Sequence, residues 1–251
     1  MTGDTFSHVF GSMTALFEQF VLWKHIMGPC WLTIKAEEFG QLSNASWCKI
    51  ELQVTNPKSI TVIPESDKID TPPMTFMSLA LRTTLNIKEN KQEILVASAR
   101  IYENISLSDT TPTEKLPCKS FTIMRPAGTS FPTGFEATSK KQRSSIILAK
   151  SEPLLLSQFL ALIERTDPDV LVGHQLQDVD YPVLLSRMRE RKTPGWHRIG
   201  RMRRSEWPKT MGKGGSSFFA ERQLVSGRLL CDVANDMGKV YMRWTWRSRL
   251  C

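Results

Sequence analysis

The chain has 251 residues, 41% of them apolar and 23% charged, with a formal net charge of +8. Such a composition allows one large domain or two small ones to bury a core, and it excludes collagen-like, low-complexity and wholly disordered chains. No apolar run reaches the roughly 18 residues of a membrane span, since Ser157 and Gln158 break the stretch from Leu154 to Ile163, and no secretory signal is visible, Glu18 interrupting the first apolar stretch.

Met13, Leu16, Phe17, Phe20 and Val21 recur at helical spacing. Ser12 or Thr14 would cap that helix and Gly28-Pro29 would end it. Cys30 to Lys35, Trp47 to Val54 and Ile60 to Ile63 are predicted strands of a small β unit, and the polar, proline-flanked stretch 64–73 is a predicted boundary. Beyond it the pattern becomes α/β. Thr75 to Leu81 reads as a buried strand, Asn86 to Asn90 as a turn, and Glu93 to Tyr102 as the antiparallel partner. Phe121 to Met124 and Ser145 to Leu148 read as further strands, with an irregular connection from Pro126 to Arg143. Ser151-Glu152-Pro153 opens a helix with the stripe Leu155, Phe159, Leu162 and Ile163. Asp167-Pro168-Asp169 stops it before the buried strand Val170 to Gly173, and Tyr181, Leu184, Leu185 and Met188 share one face of a further helix.

Charge is unevenly spread. Residues 1–186 carry 17 basic and 20 acidic groups, residues 187–213 carry 10 and 2, and residues 214–251 carry 6 and 3. One short window thus holds a net +8, and a focused patch points to a polyanionic partner more than a diffuse surplus does. Within it Arg198, Arg201, Arg203, Arg204, Lys209 and Lys213 alternate with Trp196, His197 and Trp207, and Phe218 and Phe219 follow. Guanidinium groups bind phosphates and aromatic faces stack on unpaired bases, so the window is a candidate nucleic-acid contact. A solvated loop, a nuclear-import signal, or tryptophans packed as loop anchors are the plainer alternatives.

Asp178 and Asp180 follow a buried strand and open a helix. Carboxylates from separate elements can converge on divalent metals, but the first expectation for Asp180 is a cap on the helix that begins near Tyr181. Gly212 to Ser217 lacks the spacing of a phosphate-binding loop and is expected to be a flexible turn. His174 is expected to be a packed or hydrogen-bonded histidine rather than a catalyst, and His8, His25 and His197 show no partner pattern. Cys30, Cys48, Cys118, Cys231 and Cys251 are scattered without a C-x-x-C, which suits a reduced compartment and no structural zinc.

Three stretches together carry a family resemblance: Gly28-Pro-Cys-Trp-Leu32, Asp167-Pro-Asp-Val-Leu-Val-Gly-His174, and Ile199-Gly-Arg201 with Arg203-Arg204 before Trp207-Pro208 and Ser226 to Asp232. In that order they resemble the B-family DNA polymerases, and within them the N-terminal and exonuclease-like region of polymerase alpha catalytic subunits, from about Val9 to Gly238. The resemblance implies a β-rich N-terminal domain over 1–70, a ribonuclease-H-like α/β domain over 71–238, and an unrelated tail over 239–251, with Met1 an internal start. It also implies a nuclear location, a DNA template-primer and no membrane. The protein partners it implies, primase and the accessory subunit, would be reached through regions outside this stretch. Mg²⁺ is implied for the full-length polymerase, and no cofactor for this part.

Active proofreading domains of the family carry D-x-E on their first strand. The matching place here is Ala80-Leu81-Arg82, and no carboxylate lies between Asp70 and Glu89. Asp180 matches the acid of the second motif. The resemblance therefore implies a degenerate exonuclease site, marked by Ala80, Arg82 and Asp180, that binds template without cutting it. An active exonuclease using Asp178, Asp180, Asp232 and Asp236, and a protein-interaction module, are the alternatives.

Overall fold

In a computed structural model, residues 4–8, 10–11, 13–35, 39–64, 67, 69–141, 145–212 and 215–235 are described. The chain divides into two units: Met1–Ser43 with Lys49–Thr71, and Asn44–Cys48 with Pro72–Cys251. The segment around Trp47 thus joins the second unit, whereas the sequence pattern places it on a strand of the first.

The first unit holds helix α1 (Leu16–Trp23) and two antiparallel ladders. In these β1 (Leu32–Ile34) pairs with β4 (Ile60–Val62), and β2 (Phe39–Gln41) pairs with β3 (Leu52–Val54). Helix α1 differs from expectation at both ends. Ala15 occupies the cap position without a side-chain bond, Thr14 uses its carbonyl to accept from Gln19, and Ser12 lies outside the described residues. The chain leaves the helix through the left-handed His25, at φ 54°, before Gly28-Pro29 is reached. None of the helical residues is buried. Periodicity locates α1 correctly, but Leu16 and Phe17 face outward.

The second unit is built on a six-stranded mixed sheet of order β10-β9-β5-β6-β7-β8. Its strands are β5 (Met74–Asn86), β6 (Lys91–Ile105), β7 (Lys119–Met124), β8 (Ser145–Leu148), β9 (Val170–Gly173) and β10 (Leu229–Asp232). Strand β5 runs antiparallel to β6 and parallel to β9. Alternation along β5 sends Met77, Leu79 and Leu81 into the core and leaves Ser78, Ala80 and Arg82 on the exposed face. The hairpin turn is held by Asn86, whose side-chain oxygen accepts from the amide of Lys88 at 3.1 Å.

Helix α3 (Glu152–Thr166) lays Leu155, Leu156, Phe159, Leu162 and Ile163 into the core. Burial of each such side chain contributes about 1.5–3 kcal/mol. It ends where Asp167 turns left-handed at φ 41°. Helix α4 (Tyr181–Glu190) buries Tyr181, Leu184, Leu185 and Met188. The connection 126–143, expected to be irregular, contains the short helix α2 (Phe135–Ser139). The expected flexible turn at Gly212 to Ser217 instead runs into helix α5 (Gly215–Leu224), whose Ala220 and Leu224 join the core. Two glycines seat the loop before α5. A Cβ on Gly200 would lie 2.3 Å from the carbonyl oxygen of Leu224, and one on Gly227 would lie 2.7 Å from the Arg201 side chain.

Candidate functional site

Strand β9 is shorter than β5. Their pairing ends at Ser78 and Val172, which leaves the β5 edge open beyond that point. The amide of Leu81 on this edge donates to Oδ2 of Asp180 at 3.1 Å. Asp180 reaches it because residues Leu176–Asp180 form one wide π turn entered through the left-handed Gln175, at φ 54°. The expected cap is therefore corrected: Asp180 has helical φ and ψ, and its side chain makes no cap bond to α4. A capping side chain needs extended backbone at that residue, and the π turn removes it.

Asp232, at the end of β10, is buried. Its two oxygens accept from the amides of Gln177 and Ala234, each at 2.8 Å. Burial raises the Asp180 carboxyl above its ordinary range and the Asp232 charge adds to the rise, while the Leu81 amide, Arg82 and His174 oppose it. Asp180, Asp232, Arg82 and His174 thus share one electrostatic neighbourhood. Ala80 and Arg82 lie on the exposed face of β5 and Asp178 is exposed on the π turn. Asp236 lies outside the described residues. Among the described residues no group of three or more His, Cys, Asp or Glu is placed to hold a metal. Two divalent ions roughly 4 Å apart need several carboxylates. Among the described residues, Asp180 and Asp232 are each bound by backbone amides and share their neighbourhood with the Arg82 guanidinium.

The basic window folds inward. Arg201 donates to Asp167 at 3.1 Å and to Asp169 at 2.8 Å, and the buried Arg228 donates to Asp167 at 2.6 Å. These two arginines more than offset the effect of burial and hold the Asp167 carboxyl below the usual range. Arg198 pairs with Glu164. Arg198 and Arg203 also stand over the Trp47 ring at 4.3 and 4.0 Å from its centroid. Trp47 stacks on His197 and donates its indole N–H to Nδ1 of that ring at 3.2 Å. Burial, with Arg203 nearby, lowers the His197 pKa. Trp196 and Trp207 stack on each other at 4.0 Å and pack against the core. Arg204 donates to the carbonyl of Gln223 at 3.0 Å, and Lys209 is exposed. Lys213 and the side chain of Phe218 lie outside what is described. Arg201, Arg198 and Arg203 are thus struts of the fold, and His197 has a partner that the sequence pattern does not reveal. Sequence reasoning does not single out Trp47, because its distance along the chain from the window leaves no local signal.

The sheet order, the helices on it and the acidic end of β9 and β10 define an exonuclease-like α/β domain with a central mixed sheet. The sequence matches DNA polymerase family B, exonuclease domain, over residues 7–245, and the chain belongs to that family. The match passes Gly238, where the resemblance was expected to end. The chain is similar to the DNA polymerase alpha catalytic subunit of Saccharomyces cerevisiae, with 42% identity over 243 residues covering 95% of this chain and 16% of that protein. It is similar to the DNA polymerase alpha catalytic subunits of Mus musculus, at 36% identity covering 93% of this chain and 15% of that protein, and of Xenopus laevis, at 37% covering 93% and 16%. The chain therefore spans about one sixth of the curated relatives it matches. No helix among the described residues is long and apolar enough to cross a membrane.

Proposed function

We propose that the chain is part of a nuclear DNA polymerase alpha, the enzyme that extends primers made by primase, and that this part of its catalytic polypeptide holds template DNA without hydrolysing it. The observation that carries the proposal is the open end of β5. Ala80 and Arg82 stand on its exposed face, and Arg82 places a positive charge within reach of Asp180. A cation there opposes a divalent metal by charge and offers it no oxygen ligand. The ribonuclease-H-like arrangement of the sheet supports the same reading.

The purified chain, incubated with Mg²⁺ or Mn²⁺ and an end-labelled oligothymidylate, is expected to bind the strand in a salt-dependent way and leave its length unchanged. Nibbling from the 3′ end that disappears in Asp180→Ala would overturn the non-cutting role. That outcome would favour an exonuclease using Asp178, Asp180, Asp232 and Asp236, for which the shared neighbourhood of Asp180 and Asp232 is the supporting observation. The double substitution Ala80→Asp with Arg82→Glu is expected to create Mn²⁺ binding, read by calorimetry, where the parent chain shows none.

A further inference from the structure

We infer that a pocket at the C-terminal end of α4 is a phosphate subsite for a single-stranded DNA backbone, with the Trp196–Trp207 pair as a wall for the adjoining base. The inference rests on the template-holding reading above and names where one contact is made. The pocket has a volume of about 530 Å³, and its lining includes Arg189, Lys192, Thr193, Trp196, Arg204 and Trp207. That is within the roughly 300–1,000 Å³ of ordinary ligand sites.

Among the described residues, three cations and no carboxylate line it. This sets it apart from the rest of the basic window, where Arg198 and Arg201 are neutralised by Glu164, Asp167 and Asp169. Arg189 and Arg204 donate to the carbonyls of Met211 and Gln223 at 3.3 and 3.0 Å. Such bonds fix a guanidinium without cancelling its charge.

Two buried polar atoms at the pocket have no hydrogen-bond partner among the described residues: Oγ1 of Thr193, in a residue only 2% exposed, and Nε of Arg204. A buried donor left unpaired is costly. Here a hydroxyl and a guanidinium N–H lie closed off beneath uncompensated positive charge, and the exposed Arg189 and Lys192 are the donors that a phosphate oxygen in the pocket meets. Thr193 is held in place by its own amide, which donates to the Met188 carbonyl at 2.9 Å, just after the left-handed Lys192. The stacked tryptophans are anchored on the core, so the wall is rigid. An unpaired base offers a free face to such a wall, whereas a duplex covers its base faces; this selects a single strand.

Fluorescence polarisation of a labelled oligothymidylate with the full chain tests the site. Lys192→Gln, at an exposed position, is expected to weaken binding about fivefold and to lower the salt slope by about one. Arg189→Gln, at a second exposed position of the pocket, is expected to weaken binding about threefold and to lower the slope by about one, with a thermal melt showing that the variant folds. Lys209→Gln, outside the pocket, serves as the comparison and is expected to change affinity less than Lys192→Gln. Parent-like affinity in both pocket variants, with the parent binding well, overturns the pocket and leaves template holding intact. A parent chain that does not bind the strand overturns both.

Discussion

Two sets of carboxylates in the same unit meet opposite fates. Glu152, buried at the start of α3, accepts from Arg187 at 2.9 and 2.5 Å, from Arg191 at 2.9 Å and from the amide of Ile94 at 2.8 Å. Glu93 on β6 accepts from Arg125 at 2.7 Å and Arg191 at 3.2 Å, and Glu190 pairs with Arg187 at 2.5 Å. Asp180 and Asp232 instead face each other's charge and receive backbone amides. Burial would push Glu152 up, but Arg187, the Ile94 amide and Arg191 more than offset it and hold its carboxyl below the ordinary range. Asp180 is raised. Burial acts on both, so the partners decide the sign: arginines turn an acid into a structural tie, and a second acid turns it into a liability that a functional site tolerates.

The contrast can be broken most forcefully at Glu152. Glu152→Gln removes the most buried counter-charge of Arg187 and leaves it Glu190 and the more distant Glu93, and a loss of about 3 kcal/mol is expected by urea denaturation. The pH dependence follows from the sign of the shift. A folded-state pKa below the unfolded one gives stability that is complete above the usual carboxylate range and is lost as pH falls through the lowered value. The parent chain should therefore lose more stability than Glu152→Gln over that acid window, and parallel acid titrations would show the two curves converging. Arg201→Ala is an intermediate case, since its partners Asp167 and Asp169 are partly exposed; a loss of about 1.5–3 kcal/mol is expected, with little change in DNA affinity once folding is accounted for. Asp180→Asn should act in the opposite direction. Its amide oxygen can still accept from Leu81, and removing an ionised group with a raised pKa gives a small rise in Tm near neutral pH. That gain should vanish in acid, where Asp180 is itself protonated. A fall in Tm for Asp180→Asn at neutral pH would end the comparison.

The sheet of the second unit was legible because its signals are local. Met77, Leu79 and Leu81 alternate, Asn86 to Asn90 carries turn chemistry, and the stripe of α3 follows a proline-bearing start. The three-residue β2 was not, for Phe39-Gly40-Gln41 has no apolar alternation to announce it. The position of α1 was legible and its exposure was not, because a period of 3.6 records a stripe without saying what covers it. Ala80 and Arg82 were placed on a strand beside Asp180 by resemblance. The bond from Leu81 to Asp180 could not be read, since it depends on β9 ending before β5 does. The contacts of the window's arginines could not be read for a similar reason. Their partners Glu164, Asp167, Asp169 and Trp47 lie far away in the chain, with Arg201 and Asp169 separated by 32 positions, and a run of charge does not show which members the fold has already neutralised. Glu152 looked like a helix-start acid, and only the arginines brought to it by α4 and the residue after it, with the Ile94 amide of β6, make it the hub of an ionic network.

The π turn ahead of α4 ties those two carboxylate sets to one another. In it the amide of Asp180 reaches back to the carbonyl of Gln175 at 3.3 Å, one residue further than an α-helix would. Excising a residue there would rotate the helix by about 100° around its axis. Arg187 would swing off Glu152 at the same stroke that Asp180 left Leu81. The wide turn therefore works as a phase lock, and a lineage carrying this sequence cannot reset its acidic edge by a deletion there without unpinning its ionic hub.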